Sequence, residues 1–221
     1  TPRPGNAKFK KLTPVDPNST NPYQLTEADR TVIGNTTPKF SGGFGLNATY
    51  KGFDMSMFFN FMYDFDVLNA NKIMLTTWAD NKENNFLMDI ASDKRWRNFD
   101  DMGNEIRYSP EVLAEFNKNA TMWNPTSIGR PICMSYAVED GSFLRLNSAT
   151  LGYTLPSVWT KKVGLSKVRF YVSGNNLFTL TGYSGYDPEV STAGSNPMTP
   201  GLDWGAYPKS KVFTFGLDIQ F

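Results

Sequence analysis

The chain has 221 residues, no histidine and one cysteine, Cys133. Without histidine, neither a Ser-His-Asp nor a Cys-His catalytic arrangement can form within it. One cysteine excludes an internal disulfide, and Cys133 reads as a small neutral residue in a loop. No run of eighteen apolar residues exists, which excludes a transmembrane helix. The net charge is only +1, and basic residues never stand more than two in a row, so no basic face for nucleic acid is expected. The chain starts "TPRPGNAKF" without Met. That start reads as a cut inside a longer protein, so a missing leader carries no information.

Aromatic residues, by contrast, make up 14% of the chain, dominated by Phe and Tyr. They recur with a period of two, which is the period of a strand. In the last segment Phe213, Phe215, Leu217, Ile219 and Phe221 fall on one face, and Val212, Thr214, Gly216, Asp218 and Gln220 on the other. Phe40, Phe44, Leu46, Ala48 and Tyr50 repeat the pattern, followed by Lys51-Gly52 as a two-residue hairpin turn. Phe53, Met55, Met57, Phe59, Phe61 and Tyr63 follow, with Phe58 and Met62 interrupting the polar face. Leu144 and Leu146 are out of phase with Ala149, Leu151, Tyr153 and Leu155, which predicts a bulge near Asn147-Ser148. Val168, Phe170 and Val172 begin another strand that slips at Gly174-Asn175-Asn176. "GNAKFKKL" near the start suggests a sixth strand.

The connections alternate between long (13–37, 66–139, 181–208) and short (51–52, 156–165). An up-and-down sheet then has tight turns at one end and long loops at the other, as transmembrane β-barrels do. A strand of about 13 residues, at roughly 3.3 Å each and tilted by roughly 40°, crosses about 33 Å, more than a hydrocarbon band of roughly 25 Å. The fold class expected is therefore all-β: an antiparallel transmembrane β-barrel segment whose apolar face meets lipid. Tyr50, Tyr63, Tyr153 and Phe221 lie where an aromatic girdle belongs. The alternative is a soluble β-sandwich, whose strands are ordinarily shorter.

Four stretches follow in order: "DRTVIGNTTPKFSGGFGLNATYKGFDMS" (29–56), "VEDGSFLRLNSATLGYTLP" (138–156), "VRFYVSGNNLFTLTGYSGYDPEV" (168–190) and "PGLDWGAYPKSKVFTFGLDIQF" (200–221). In combination they resemble the C-terminal part of SusC/RagA-type TonB-dependent transporters of Bacteroidetes. The resemblance implies a 22-stranded outer-membrane barrel, of which residues 1–221 supply about the last six strands; the plug domain lies outside this chain. It implies energy from TonB, engaged through a region outside this chain, a SusD-like lipoprotein as lid, and glycan or peptide cargo. It also implies assembly by the outer-membrane machinery, with Phe221 as an aromatic terminal signal. Relatives carry a "D-x-N-x-D-G" stretch before "DRTVIG". Here Asp16 and Asp29 stand too far apart and the loop glycine is missing, so no calcium site is carried over. Siderophore or cobalamin uptake, or a non-transporting adhesin or carbohydrate-binding role, are the competing functions.

Other motifs are weaker. "GGFG" at 42–45 lacks the Lys-Ser/Thr and helix of a phosphate loop, and no cofactor is expected. The "NAT" triplets at 47–49 and 119–121 match a glycosylation acceptor only formally. Asp100-Asp101 and Glu139-Asp140 read as loop charges or a hairpin start rather than an acid-base pair, and no catalytic or metal site is assigned. "SPEVLAEFNKN" (109–119) predicts a short helix, with Ser109 able to cap and Pro110 suited to the first position. The candidate contacts for cargo or lid are the loop aromatics Trp78, Trp96 and Trp123 in the 66–139 loop and Tyr183, Tyr186, Trp204 and Tyr207 in the 181–208 loop. Asp187-Pro188-Glu189 reads as a turn.

Overall fold

A computed structural model describes residues 3–77, 85–91, 93–128, 132–189 and 200–221. The chain divides into two units, Thr1–Ile33 with Asn69–Ala137, and Gly34–Leu68 with Val138–Phe221.

The second unit carries a five-stranded antiparallel meander. Its strands are β1 (Phe40–Tyr50), β2 (Phe53–Tyr63), β5 (Phe143–Thr154), β6 (Lys167–Thr181) and β8 (Val212–Gln220), in the order β1-β2-β5-β6-β8. The register keeps one phase throughout. Phe44 faces Phe59, Phe59 faces Leu146, and Leu146 faces Phe178. Tyr153 faces Phe170, and Phe170 faces Leu217. The large apolar side chains of all five strands therefore share one face, and most stay exposed: Phe44, Leu46, Phe53, Leu151, Phe170, Phe178, Phe213 and Phe215 among them. A soluble sheet would bury this face, because hydrophobic burial is the main driving force of folding.

The bulge expected at Asn147 is present, as a register shift between Leu146 and Ser148 that restores the phase of Ala149. The slip in β6 is met by Asn176 in a left-handed conformation (φ 53°). Lys51 and Gly52, at φ 46° and 88°, make the tight turn between β1 and β2. The two residues that break the polar face of β2 are also explained. Phe58 lies over Gly43, where a Cβ would come within 2.8 Å of its ring. Met62 packs on a buried cluster of Phe65, Val67, Phe143 and Tyr183.

A second, three-stranded sheet pairs β4 (Val138–Asp140), β3 (Asp66–Asn69) and β7 (Leu202–Asp203) in that order. Among the described residues three α-helices, α1 (Ala70–Met74), α2 (Pro110–Phe116) and α3 (Ser157–Thr160), and five short 3-10 helices complete the elements. None of the described helices is long and apolar enough to cross a membrane, which says nothing of crossing by strands.

Three expectations need correction. The long strands number five among the described residues rather than six, because residues 5–12 form no strand. The backbone amides of Leu12 and Thr13 there donate to the Asp29 carboxylate instead of to a neighbouring strand. The strands also run 11, 11, 12, 15 and 9 residues, shorter on average than anticipated. An 11-residue strand still crosses about 28 Å at a tilt of roughly 40°, enough for a hydrocarbon band of roughly 25 Å. Finally, Pro110 does open α2, but the Ser109 side chain makes no cap hydrogen bond and the helix stops at Phe116.

Candidate functional site

The polar face of the sheet carries its charges in clusters. Near the tight-turn end, Arg169 of β6 reaches across β5 to Asp54 of β2, with Nε–Oδ1 at 2.9 Å and Nη2–Oδ2 at 2.6 Å. Its Nη1 also meets Asp218 of β8 at 3.2 Å. The crossing requires Gly152 on the strand between, since the guanidinium and the Asp54 carboxylate occupy the space of any Cβ there. Tyr171 lies over Gly216 in the same way. One guanidinium thus ties three strands on the face opposite the apolar one.

At the long-loop end, carboxylates fasten the loop after β6 to the sheet. Arg145 of β5 is 2% exposed, pairs with Asp187, and has Glu189 Oε2 at 3.4 Å. Lys209 closes on Glu189 at 2.6 Å. Glu139 accepts from the backbone and hydroxyl of Ser184 at 3.0 and 2.9 Å. Tyr183 donates its hydroxyl to Asp203 Oδ2 at 2.6 Å, while Asp203 Oδ1 accepts from the Gly205 amide at 2.9 Å. Burial, and then this acidic partner, push the Tyr183 phenol far above its ordinary range. The Asp187-Pro188-Glu189 turn is as expected, and its two acidic side chains are the anchors.

The loop aromatics fall into two groups, each within one unit. In the second unit Tyr186, Trp204 and Tyr207 are exposed, whereas Tyr183 is a core residue. In the first unit Trp123 donates Nε1 to Thr76 O at 3.3 Å and stands edge-on to Tyr136 at 5.0 Å, so it packs the loop. Trp96 lies against Gly5 and lines a cleft of about 350 Å³ with Arg3, Asn98, Arg107 and Asn124. Trp78 lies outside the described residues. The paired acids are structural: Asp100 accepts from the amides of Met102 and Asn104, Asp101 pairs with Arg97, and Asp140 accepts from Ser142.

The Asp29 side chain is almost wholly shielded. Its two oxygens take donors from Leu12 N, Thr13 N, Thr13 Oγ1 and Thr26 N at 2.8–2.9 Å. The Thr13 amide foremost, and then the Thr26 amide, hold this carboxyl well below its ordinary value of 3.8. Folding therefore favours the charged form, and the stabilisation is complete above that ordinary value and lost as pH falls through the folded one. Amide exchange of Leu12, Thr13 and Thr26 is expected to lose protection on acidification below the usual carboxylate range. Asp29→Asn is expected to show the same loss at neutral pH; unchanged protection would refute the clasp.

No protein-family model matches the chain. TonB-dependent receptor P3 of Formosa agariphila is 36% identical over 202 residues, covering 90% of this chain and 18% of that protein. TonB-dependent receptor P39 of the same organism is 27% identical over 87% of this chain and 17% of its own length. TonB-dependent receptor SusC of Bacteroides thetaiotaomicron is 36% identical over 90 residues, 39% of this chain and 8% of that protein. The chain thus spans less than a fifth of the length of these curated relatives. Among solved structures, the RagAB peptide transporter superposes with a TM-score of 0.67 at 23% identity, covering 90% of this chain and 19% of that one. The "open-open" state of the RagAB peptide importer gives the same TM-score at 22% identity. These names are those of receptors and transporters. The ordered motifs, the five-stranded meander and these relatives place the chain in one family: it belongs to the SusC/RagA-type TonB-dependent receptors.

Proposed function

We propose that this chain forms part of the wall and mouth of an outer-membrane barrel that imports glycan or peptide nutrients, driven by TonB, with a SusD-like lipoprotein as lid. The observation that carries the reading is the single apolar phase kept across all five strands, exposed on one face while charges and small residues occupy the other. The partners are inferred from kinship: one relative is SusC, and one structural neighbour is called a peptide transporter. The fastened loop base presenting Tyr186, Trp204 and Tyr207 is the surface we assign to cargo or lid contact, with the Trp96 cleft as a second candidate. Tagged full-length receptor, solubilised from the outer membrane, is expected to bring a SusD-like lipoprotein with it. Nutrient uptake is expected to stop when TonB is deleted. A receptor that purifies alone and supports uptake without TonB would overturn the proposal.

Phe221 is assigned an assembly role. A lipid-facing aromatic at the turn-end rim anchors the last strand at the interface while it pairs, and pairing removes a sheet edge that cannot stay open in lipid. Phe221→Ala is expected to lower the amount of heat-modifiable barrel in the membrane and leave uptake per assembled molecule nearly unchanged. Normal assembly with reduced uptake per molecule would place Phe221 in transport instead.

A further inference from the structure

The connection from β5 to β6 is unlike a water-facing turn. Val158, Trp159 and Val163 are 68%, 59% and 70% exposed. Both strands have neighbours in place, β2 beside β5 and β8 beside β6, so no missing wall strand would cover the turn. Its backbone is held: Thr160 is buried, Leu165 N donates to Thr160 O at 3.0 Å, and Ser166 N donates to Gln220 O at 2.8 Å. The apolar side chains are therefore displayed by a hydrogen-bonded turn. Lys161 and Lys162 stand among them, exposed and without an ion-pair partner among the described residues. No acidic residue occurs from Leu155 to Lys167. At the same end of the sheet, Lys51 lies over the Tyr50 ring at 5.2 Å, and Phe53 packs on Tyr153 at 4.5 Å.

We infer that this turn is a docking surface for a bilayer bearing anionic phospholipid headgroups. Trp159 and the two valines enter the interfacial region, and Lys161 and Lys162 meet the phosphates. Tryptophan prefers the membrane–water interface, and lysine snorkels there with its ammonium in the headgroups. Each basic residue near an anionic surface strengthens binding about five-fold. Contacts between proteins disfavour lysine at their centre, whereas a lipid interface takes tryptophan and lysine together. The surface continues the apolar face of the sheet through Tyr153 and Phe170, which share a register position. The inference rests on the reading of that face as lipid-facing.

The test uses the full-length receptor in phosphatidylcholine nanodiscs. The emission lost in Trp159→Phe isolates Trp159, and the emission gained in Phe215→Trp reports on the lipid face. Lipids brominated near the headgroup end of the chain are expected to quench the first at least two-fold, and mid-chain bromines the second. Quenching of the Phe215→Trp emission with Trp159 unquenched overturns the inference and leaves the lipid-facing reading intact. No quenching at Phe215→Trp overturns both. In mixed micelles, thermal midpoints followed against phosphatidylglycerol are expected to give an apparent affinity roughly thirty-fold weaker for Lys161→Gln/Lys162→Gln, the two lysines together. An unchanged phosphatidylglycerol dependence also overturns the inference.

Discussion

Asp187→Ala is expected to destabilise the second unit by about 3–5 kcal/mol, because it strands a buried cation. The Arg145 guanidinium is 2% exposed, pairs with Asp187, lies 5.3 Å from the centre of the Phe143 ring, and otherwise meets, among the described residues, Glu189 Oε2 at 3.4 Å. Its Nε already lacks a hydrogen-bond partner among the described residues, and the Glu189 carboxylate, already closed on by Lys209 at 2.6 Å, is a poor replacement for the lost one. Removing both charges is a different matter. A buried ion pair exchanged for apolar groups of similar volume is often neutral in stability. Arg145→Met/Asp187→Leu is therefore expected to recover most of the loss. Because Asp187 fastens the segment bearing Tyr186, the single variant is also expected to release amide protection through residues 182–189 before the strands open. The measurements are reversible unfolding of the full-length receptor in lipid and amide exchange of that segment. A cost below about 1 kcal/mol, in the range of a surface ion pair, or a double variant no better than the single one would show that Arg145 is not a buried anchor.

Much of the wall was legible because period two is a direct imprint of strand geometry. The slip from Leu146 to Ala149 announced the bulge at Asn147, since one extra residue flips the facing of everything after it. Residues 5–12 misled for a physical reason. Extended backbone with spaced apolar residues needs a neighbouring strand, and here Leu12 and Thr13 give their amides to Asp29 instead. The anchors could not be read from the sequence. Arg145 and Asp187 lie 42 residues apart, and Arg169 and Asp54 lie 115 apart, so no local pattern joins them. Their one local sign was a charge on the polar phase of a strand, with glycine at the crossing point in the case of Gly152. The loop aromatics were found as a class, but the sequence could not divide them. Trp123 and Tyr183 have found partners inside their loops, whereas Tyr186 and Tyr207 remain exposed.

An arginine at Phe215 is expected to cost roughly 2–4 kcal/mol in the intact receptor, and one at Thr214 far less. The two residues are adjacent on β8, both exposed, and a strand sends them to opposite faces. Phe215 shares its face with Val172 and Leu151. Thr214 sits beside Ser173 on the face that holds Arg169 and Asp218. In water, either arginine would be a surface substitution worth a few tenths of a kcal/mol. In lipid they separate, because the bilayer midplane penalises a guanidinium that the lumen can solvate. Phe59, stacked on Phe44 at 5.0 Å in the middle of β2, is a second position on the apolar face where the same cost is expected. Its neighbour Asn60 is a poorer control than Thr214, because its side-chain oxygen is buried without a partner among the described residues, and an arginine there would add a packing cost. Reversible unfolding of the full-length receptor in lipid vesicles gives both numbers in one medium. Equal costs at positions 214 and 215 would mean that the two faces of β8 meet the same solvent, and the assignment of the aromatic face to lipid would fall.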